Sequence, residues 1–226
     1  MSAAESTTGI VLRARPFSET SLIVNWLTAA NGRLSTVAKG ARRPNSPLRG
    51  KLDLFYLADF SFGRSRRSDL HTLREAKVIE TFAPLRSDLA YLQQASYCAA
   101  LVEQSTEADT PLPGVYELMR IFLTTLAAEP AHAHTVFAFE LKLLDELGLK
   151  PDLDDSHLSA GSRELAKALA LAEWGKIGRF RPSEGQMNEL AAFLHGYLIY
   201  HLGRFPKGRE AAIAVERWNP EASSKA

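Results

Sequence analysis

The stretch SLIVNWLTAANGRLSTVA, residues 21–38, places two short runs rich in β-branched and aromatic residues on either side of a turn. The turn contains Asn31-Gly32, the dipeptide that most easily adopts the positive φ angles of a tight hairpin. Both runs have the composition and length of strands. This stretch therefore predicts a β-hairpin in the N-terminal part of the chain.

The same pattern extends from the hairpin in both directions, as far as about Glu80. Further runs of this kind lie at 8–15, 53–62 and 70–80. Each run is bounded by turn residues, so five short strands are predicted. Five short strands are too few for a sandwich, and no crossover helices are present for a parallel sheet. The sequence favours a small antiparallel barrel of the OB type, with an SH3-like barrel as the alternative.

Beyond Ala83-Pro84 the apolar residues recur at three- and four-residue spacings, which predicts helices at 88–106, 115–128, 133–147, 163–173 and 184–202. Residues 183–186 have the form of a capping box at the start of the last helix. The predicted class is α+β with two domains: an OB-fold domain at 1–80 and a helical domain at 81–226. Residues 148–162 are expected to be a loop or insertion, and 219–226 a frayed tail.

The charge of the chain is unevenly distributed. The 226 residues have a net charge of +1, but residues 1–80 carry +6 and the remainder −5. This asymmetry predicts a basic functional face on the N-terminal part. The single cysteine, Cys98, and the lack of a signal-like or membrane-spanning apolar run predict a soluble cytoplasmic protein.

The excess positive charge is concentrated at residues 33–67, where nine basic and two acidic residues give a net charge of +7. Like charges held this close repel one another, so a bound polyanion explains them better than a solvated loop does. They lie mostly in the third and fourth connections between strands, which on a small barrel can flank one groove. The nine residues are Arg33, Lys39, Arg42, Arg43, Arg49, Lys51, Arg64, Arg66 and Arg67.

Three aromatic residues, Tyr56, Phe60 and Phe62, share one face of the predicted fourth strand. If exposed, their rings would stack on bases. Aromatic residues on strands more often belong to the core, and that alternative stays open here.

Enzyme signatures are missing from this sequence. There is no Gly-x-x-x-x-Gly-Lys phosphate loop. His132 and His134 have no acidic or thiolate partner at ligand spacing. No catalytic residue, metal or cofactor is therefore predicted, although a hydrolase site assembled in space stays open as an alternative.

Several segments, taken in order, resemble a known family. They are the element Val37-Ala38-Lys39-Gly40-Ala41-Arg42 with Leu48-Arg49-Gly50, the run LHTLREAKVIETFAPLRSDLAYLQQASY and the run FLHGYLIYHLGRFPKGRE. Together they are similar to the RecO family of bacterial recombination mediators. The resemblance implies an OB-fold joined to a helical domain and a function without nucleotide hydrolysis. That function is to bind single- and double-stranded DNA, anneal complementary strands and, with RecR, help load RecA onto DNA coated by single-stranded DNA-binding protein (SSB). A nucleoid-associated location follows from these expectations.

The resemblance also assigns residues. Lys39, Arg42 and Arg49 match basic positions of the family motif. The family's four-cysteine zinc site would correspond to residues 151–181, which contain no cysteine here, so zinc does not carry over. By charge and location the DNA-binding set also includes Arg43, Lys51, Arg64, Arg66, Arg67 and Arg74. The residues expected to receive the acidic C-terminal tail of SSB are Arg204, Lys207, Arg209, Leu198 and Leu202.

A protein-interaction adaptor is the alternative from a different functional class. In that case the basic barrel binds an acidic protein partner instead of DNA. Steep salt dependence of binding to homopolymeric DNA would distinguish the two.

Overall fold

The computed structural model describes residues 4–204 and 206–214. The N-terminal part forms five strands: β1 (Ala4–Pro16), β2 (Leu22–Thr28), β3 (Gly32–Ala38), β4 (Leu57–Gly63) and β5 (Leu70–Glu80). They close into a barrel in the order β1-β2-β3-β5-β4. Among the neighbouring strands of this barrel, β3 and β5 run parallel and the other pairs are antiparallel. The OB-type barrel predicted from the sequence is confirmed, and the SH3-like alternative is not adopted.

The length of β1 allows the barrel to close. Its first half, Ala4–Ile10, pairs with β4, and its second half, Gly9–Pro16, pairs with β2. The register with β2 shifts between Val11 and Arg13. Such a bulge bends a strand and increases its twist, so a single strand serves both neighbouring strands.

The predicted hairpin joins β2 to β3. Thr28 pairs with Gly32 across a three-residue turn, and the Thr28 hydroxyl accepts a hydrogen bond from the Asn31 amide at 3.0 Å. Gly32 has a φ of 66°. A Cβ atom at this position would lie 2.0 Å from the carbonyl oxygen of Thr110. Glycine is therefore required both by the backbone conformation and by the close approach of another segment.

The inward-facing side chains of the strands fill the barrel. Trp26 stacks on Phe60 with ring centroids 4.1 Å apart, and its indole Nε1 donates to the Thr36 hydroxyl at 2.9 Å. The indole is thus satisfied without reaching solvent. The buried cluster comprises Val11, Val24, Trp26, Leu34, Ala38, Ala41, Leu48, Leu52, Ala58, Phe60, Phe62, Leu73 and Ala76.

The rest of the described chain is helical. After a short 3-10 helix at Ala83–Arg86 come α1 (Leu89–Ser105), α2 (Pro113–Ala128), α3 (Ala133–Glu146), α4 (Ala160–Leu171), α5 (Trp174–Ile177), α6 (Glu184–Leu202) and α7 (Arg209–Ile213). The five predicted helices are present. The short helices α5 and α7 were not predicted, since one turn is too short to show a period.

Helix α3 is buried from Ala133 to Leu144 except at the half-buried Lys142, as expected for a helix at the centre of a bundle. At the start of α6 the predicted capping box is formed. The Ser183 hydroxyl accepts from the Gln186 amide at 3.3 Å, and the Gln186 side chain accepts from the Ser183 amide at 2.9 Å. None of the described helices is both long and apolar enough to span a bilayer.

The chain divides into two compact units. The barrel unit contains residues up to 83 together with 103–120, and the helical unit contains 84–102 together with the residues from 121 onward. The sequence-based division at residue 80 does not assign 103–120 to the barrel. The predicted frayed tail at 219–226 lies outside the described residues.

Candidate nucleic-acid interface

The connection from β3 to β4, residues 39–56, is a succession of tight turns. Amides of Arg43, Ser46 and Arg49 each donate to the carbonyl three residues earlier, at 3.0–3.1 Å. Ala41, Leu48 and Leu52 of this connection are buried in the barrel cluster. The connection is thus fixed at one end of the barrel by its apolar residues, and its basic residues lie between these anchors.

The basic side chains of this connection remain in solvent. Lys39, Arg42, Arg43 and Arg49 are exposed and Lys51 is half-buried. The Arg42 guanidinium donates to the Ser18 carbonyl at 3.0 Å, and Arg49 donates to the Pro44 carbonyl at 3.2 Å. Among residues 4–204 and 206–214, no carboxylate forms an ion pair with any of these five groups. Their charge is therefore available to an external anion.

The turn from β4 to β5, residues 64–69, uses its basic residues differently. Arg64 donates to both oxygens of Glu5, at 2.9 and 3.0 Å, and to Asp109 at 2.9 Å. These hydrogen bonds raise the pKa of Arg64 and, from the other side, lower that of Glu5. Arg66 and Arg67 are exposed. One of the three predicted arginines of this turn is thus committed within the barrel unit.

The two basic connections do not flank one groove, and the expectation that they do requires correction. Strand β3 runs parallel to β5, with Ser35 opposite Leu70 and Val37 opposite Thr72. One connection follows the end of β3, whereas the other precedes the start of β5. The two connections also meet β4 at opposite ends, at Leu57 and at Gly63, about 20 Å apart for this seven-residue strand.

The outer face of β2 and β3 is covered by the barrel unit's own segment 103–120. The Glu103 carboxylate accepts from Asn25 at 3.0 Å and pairs with Arg13 at 2.6 Å. The Arg33 guanidinium donates to the Thr106 hydroxyl at 2.8 Å, and burial lowers the pKa of Arg33. In OB-folds this face commonly carries the bound strand. Here Glu103 and Thr106 occupy part of this face, and the half-buried Arg33 is hydrogen-bonded to Thr106 and not presented to solvent as the DNA contact that the sequence predicts.

An open groove lies instead over β1, β4 and β5. It encloses about 810 Å³. It brings together two predicted residues, Lys51 and Arg74, and adds Lys77, which the sequence reading did not include. The acidic groups Asp59 and Glu75 also line it, so its charge is mixed. Its remaining lining residues are Ser6, Thr7, Thr8, Pro47, Leu48, Phe60, Ser61 and Ala76.

Two of the predicted base-stacking residues belong to the core. Phe60 is 3% exposed and Phe62 is fully buried. Phe62 stacks on His71 with ring centroids 5.4 Å apart. Tyr56 is half-buried and packs against the same cluster. A ring inside the barrel cannot stack on a base unless the barrel opens, so Phe60 and Phe62 are corrected to core residues.

Sequence reading missed two exposed residues near the β3–β4 connection. Phe17, in the turn between β1 and β2, is 58% exposed. Arg15, at the end of β1, is also exposed. The signal in the sequence was the position of Phe17 after Pro16 and before Ser18-Glu19, where no alternating pattern requires it in the core.

The basic stretch near the C-terminus is divided between the surface and the core. Arg209 is 6% exposed and donates to both oxygens of the fully buried Glu140, at 2.7 and 2.8 Å. Burial disfavours the charged form of Arg209, but the hydrogen bonds and charge of Glu140 outweigh it, so the pKa of Arg209 is raised. Leu198 is fully buried, whereas Leu202 is half-buried and Arg204 and Lys207 are exposed. Leu198 is therefore unavailable to a peptide, and the Arg209 guanidinium is already paired with Glu140.

No group of three or more His, Cys, Asp or Glu side chains within the described ranges is arranged to hold a metal ion. His132 and His134 stack on each other with ring centroids 5.0 Å apart, and His134 Nε2 lies 3.0 Å from the Ile177 carbonyl oxygen. The two imidazoles thus take part in packing in the helical unit.

Comparison with known proteins gives matches along both units. A family model described as Recombination protein O N terminal matches residues 1–82, and one described as Recombination protein O C terminal matches residues 86–159. DNA repair protein RecO of Anaeromyxobacter sp. (strain K) is 35% identical over 147 residues, which are 65% of this chain and 58% of that protein. DNA repair protein RecO of Bacillus subtilis (strain 168) is 34% identical over 146 residues, 65% of this chain and 56% of that protein. The chain thus matches a little over half the length of these relatives.

Proposed function

The chain belongs to the RecO family, and on that premise we propose that it acts in DNA repair and homologous recombination by binding DNA through the β3–β4 connection. One observation carries the proposal. The connection presents Lys39, Arg42, Arg43 and Arg49 to solvent on a backbone fixed by turns and buried leucines, and no carboxylate in the described part of the chain is paired with them. Such a surface is electrostatically unfavourable until an anion approaches it.

The proposed contacts are to phosphates. Arginine forms bidentate hydrogen bonds with phosphate oxygens, and lysine adds a point charge. Such contacts carry no sequence information, so single- and double-stranded DNA are both ligands. Binding that neutralises about six phosphates loses roughly a thousandfold in affinity between 50 and 200 mM salt. The residues we assign are the half-buried Lys51 and the exposed Lys39, Arg42, Arg43, Arg49, Arg66, Arg67 and Arg74.

Strand annealing follows from the same electrostatics. Two complementary strands on one basic surface repel each other less than they do in solution, so no nucleotide needs to be hydrolysed. We therefore propose a non-catalytic mediator in the cytoplasm, associated with the nucleoid. Its proposed partners are RecR, SSB and, indirectly, RecA.

The proposed site for the acidic SSB tail is narrower than the sequence predicts. Lys207 lines a concavity of about 640 Å³ on the helical unit together with His195 and Pro206. Arg204 is exposed three residues earlier, after the half-buried Leu202 at the end of α6. These residues supply cations beside apolar surface, which suits a short acidic peptide. Arg209, which is paired with Glu140, and the exposed Glu210 also line this concavity, so its charge is mixed.

The test is the triple variant Lys39→Ala, Arg42→Ala and Arg43→Ala. The slope of log K against log salt is negative, and removal of three phosphate contacts should make it shallower by about 2 to 3. We expect at least about a tenfold loss of affinity for homopolymeric DNA at 50 mM salt, and slower annealing of SSB-coated strands without nucleotide. Fluorescence anisotropy over a salt series measures the first two effects.

The matched control removes three exposed charges from the helical unit, through Lys150→Ala, Lys176→Ala and Arg179→Ala. This variant should bind DNA almost as tightly as the unmodified chain. Equal losses in both triple variants would mean that net charge alone matters. If the first variant keeps its affinity and its salt slope, the proposed interface is wrong, and binding only to an acidic protein would favour an adaptor.

A further inference from the structure

Phe17 is the aromatic ring that the barrel unit leaves in solvent. Within residues 4–83 and 103–120, the other aromatic side chains are buried or half-buried, whereas Phe17 is 58% exposed. It contributes nothing to the buried cluster of the barrel. An exposed ring on an otherwise well-packed barrel needs an explanation from outside the core.

The backbone holds this ring in a defined place. The amides of Phe17 and Ser18 both donate to the Ser21 carbonyl, at 3.0 and 3.3 Å, and the Ser21 amide donates back to the Ser18 hydroxyl at 3.2 Å. Serine 21 is itself 9% exposed, and its hydroxyl accepts from the Gly40 amide at 3.3 Å. The β1–β2 turn is therefore an ordered platform, so a ligand that meets Phe17 orders only the side chain.

The turn is joined directly to the basic connection. The amide of Arg42 donates to the Thr20 carbonyl at 3.0 Å, and its guanidinium donates to the Ser18 carbonyl at 3.0 Å. Arg42 and Phe17 line the same concavity of about 410 Å³, with Pro16, Ser18 and Glu19. Both side chains are exposed. A flat apolar ring and a phosphate-binding cation thus stand side by side on one rigid support.

We propose that Phe17 and Arg42 form a subsite for one unpaired nucleotide, with the base stacked on the Phe17 ring and a neighbouring phosphate on Arg42. An unpaired base offers an open π face to an aromatic side chain. In a duplex both faces of each base are already stacked on neighbours, so the subsite selects single strands. The inference rests on the proposed DNA-binding function and adds to it a means of distinguishing single strands from duplex.

The experiment compares Phe17→Ala with the unmodified chain on an oligonucleotide carrying 2-aminopurine, both as a single strand and in its duplex. We expect the affinity for the single strand to fall about 5- to 150-fold, the range that stacking of one base contributes. Affinity for the duplex should stay within about twofold, and the salt slope should not change, because no phosphate contact is lost. Phe17→Trp should keep the single-strand affinity and quench 2-aminopurine fluorescence.

Leu171→Ala is the matched control, since Leu171 is a 79% exposed apolar residue in the helical unit. Unchanged single-strand affinity in Phe17→Ala overturns the subsite, as does an equal loss on single strand and duplex. The latter result would indicate a DNA contact that needs no unpaired base, whereas displacement of the single strand by an apolar peptide bound at Phe17 would indicate a protein contact. If the Lys39, Arg42 and Arg43 variant also binds normally, the proposed interface itself fails, so the two failures are separable. Urea unfolding of each variant verifies the fold.

Discussion

The β3–β4 connection and the stretch at 203–210 are similar in sequence but differ in where their charges lie. Both combine glycine, proline and several basic residues. In the connection, Ala41, Leu48 and Leu52 enter the core, and the cations remain in solvent. In the C-terminal stretch the cation Arg209 enters the core and pairs with Glu140. A basic residue is thus available to a ligand only where the fold brings no carboxylate to it.

The largest effect that this comparison predicts is the loss of stability caused by the substitution Glu140→Gln. The substitution leaves the Arg209 guanidinium buried without its counter-charge, and the hydroxyl of Tyr97 loses the carboxylate to which it donates at 2.5 Å. We expect the free energy of unfolding of the helical unit to fall by about 3–5 kcal/mol. Urea denaturation followed by circular dichroism measures this change.

Glu210→Gln is the control for that measurement, because Glu210 is an exposed carboxylate next to Arg209 in the sequence. It should unfold at nearly the same urea concentration as the unmodified chain. The comparison between the two basic stretches breaks down if Glu140→Gln unfolds at an unchanged urea concentration and only weakens binding of an acidic peptide.

Local patterns were sufficient to predict the barrel and most of the helices. The Asn31-Gly32 turn predicted the hairpin because its requirement for positive φ is local, and the capping box at Ser183 is local for the same reason. Exposure of the basic connection was also predictable, since residues 37–51 contain no acidic side chain at all. What a short segment requires of its own backbone can be read from that segment.

The errors arose where a partner is distant in the chain. Thr106 is 73 residues from Arg33, Glu5 is 59 from Arg64 and Glu140 is 69 from Arg209. No spacing rule links such pairs, because the closure of the barrel and the packing of the helices bring them together. For a related reason, the sequence could not show that Phe60 and Phe62 are buried. Alternation along a strand shows which residues share a face, but not which of the two faces lies inside the barrel.

A smaller effect is predicted for Arg64→Ala, within the β4–β5 turn. Since Arg64 is held by Glu5 and Asp109 at the surface, its loss should lower the free energy of unfolding by about 1 kcal/mol at pH 7. Arg64 lowers the pKa of Glu5 below its usual 4.5, so this stabilisation is complete above that pH and is lost as pH falls through the lowered value. Asp109 belongs to the same network, with His71 Nε2 3.8 Å from it.

Urea unfolding at pH 7 and at pH 3 measures the Arg64 effect, and the difference from the unmodified chain should shrink at the lower pH. The exposed neighbour provides the contrast: Arg66→Ala should leave stability within about 0.5 kcal/mol and weaken DNA binding more than Arg64→Ala does. If Arg64→Ala causes the larger loss of DNA affinity, an arginine bound to carboxylates still serves as a phosphate contact, and pairing with a carboxylate does not make a basic residue unavailable to DNA.

The smallest predicted effect concerns Glu19, the one acidic residue in the concavity that Phe17 and Arg42 line. Its carboxylate is exposed, so it repels an incoming phosphate only through solvent. Glu19→Gln should therefore raise DNA affinity by about two- to threefold at 50 mM salt, and the gain should vanish by about 0.5 M. Glu129→Gln removes an exposed carboxylate from the helical unit and should have no such effect. An equal gain in both variants would assign the change to net charge, whereas a gain confined to Glu19→Gln places the approaching phosphate beside this turn.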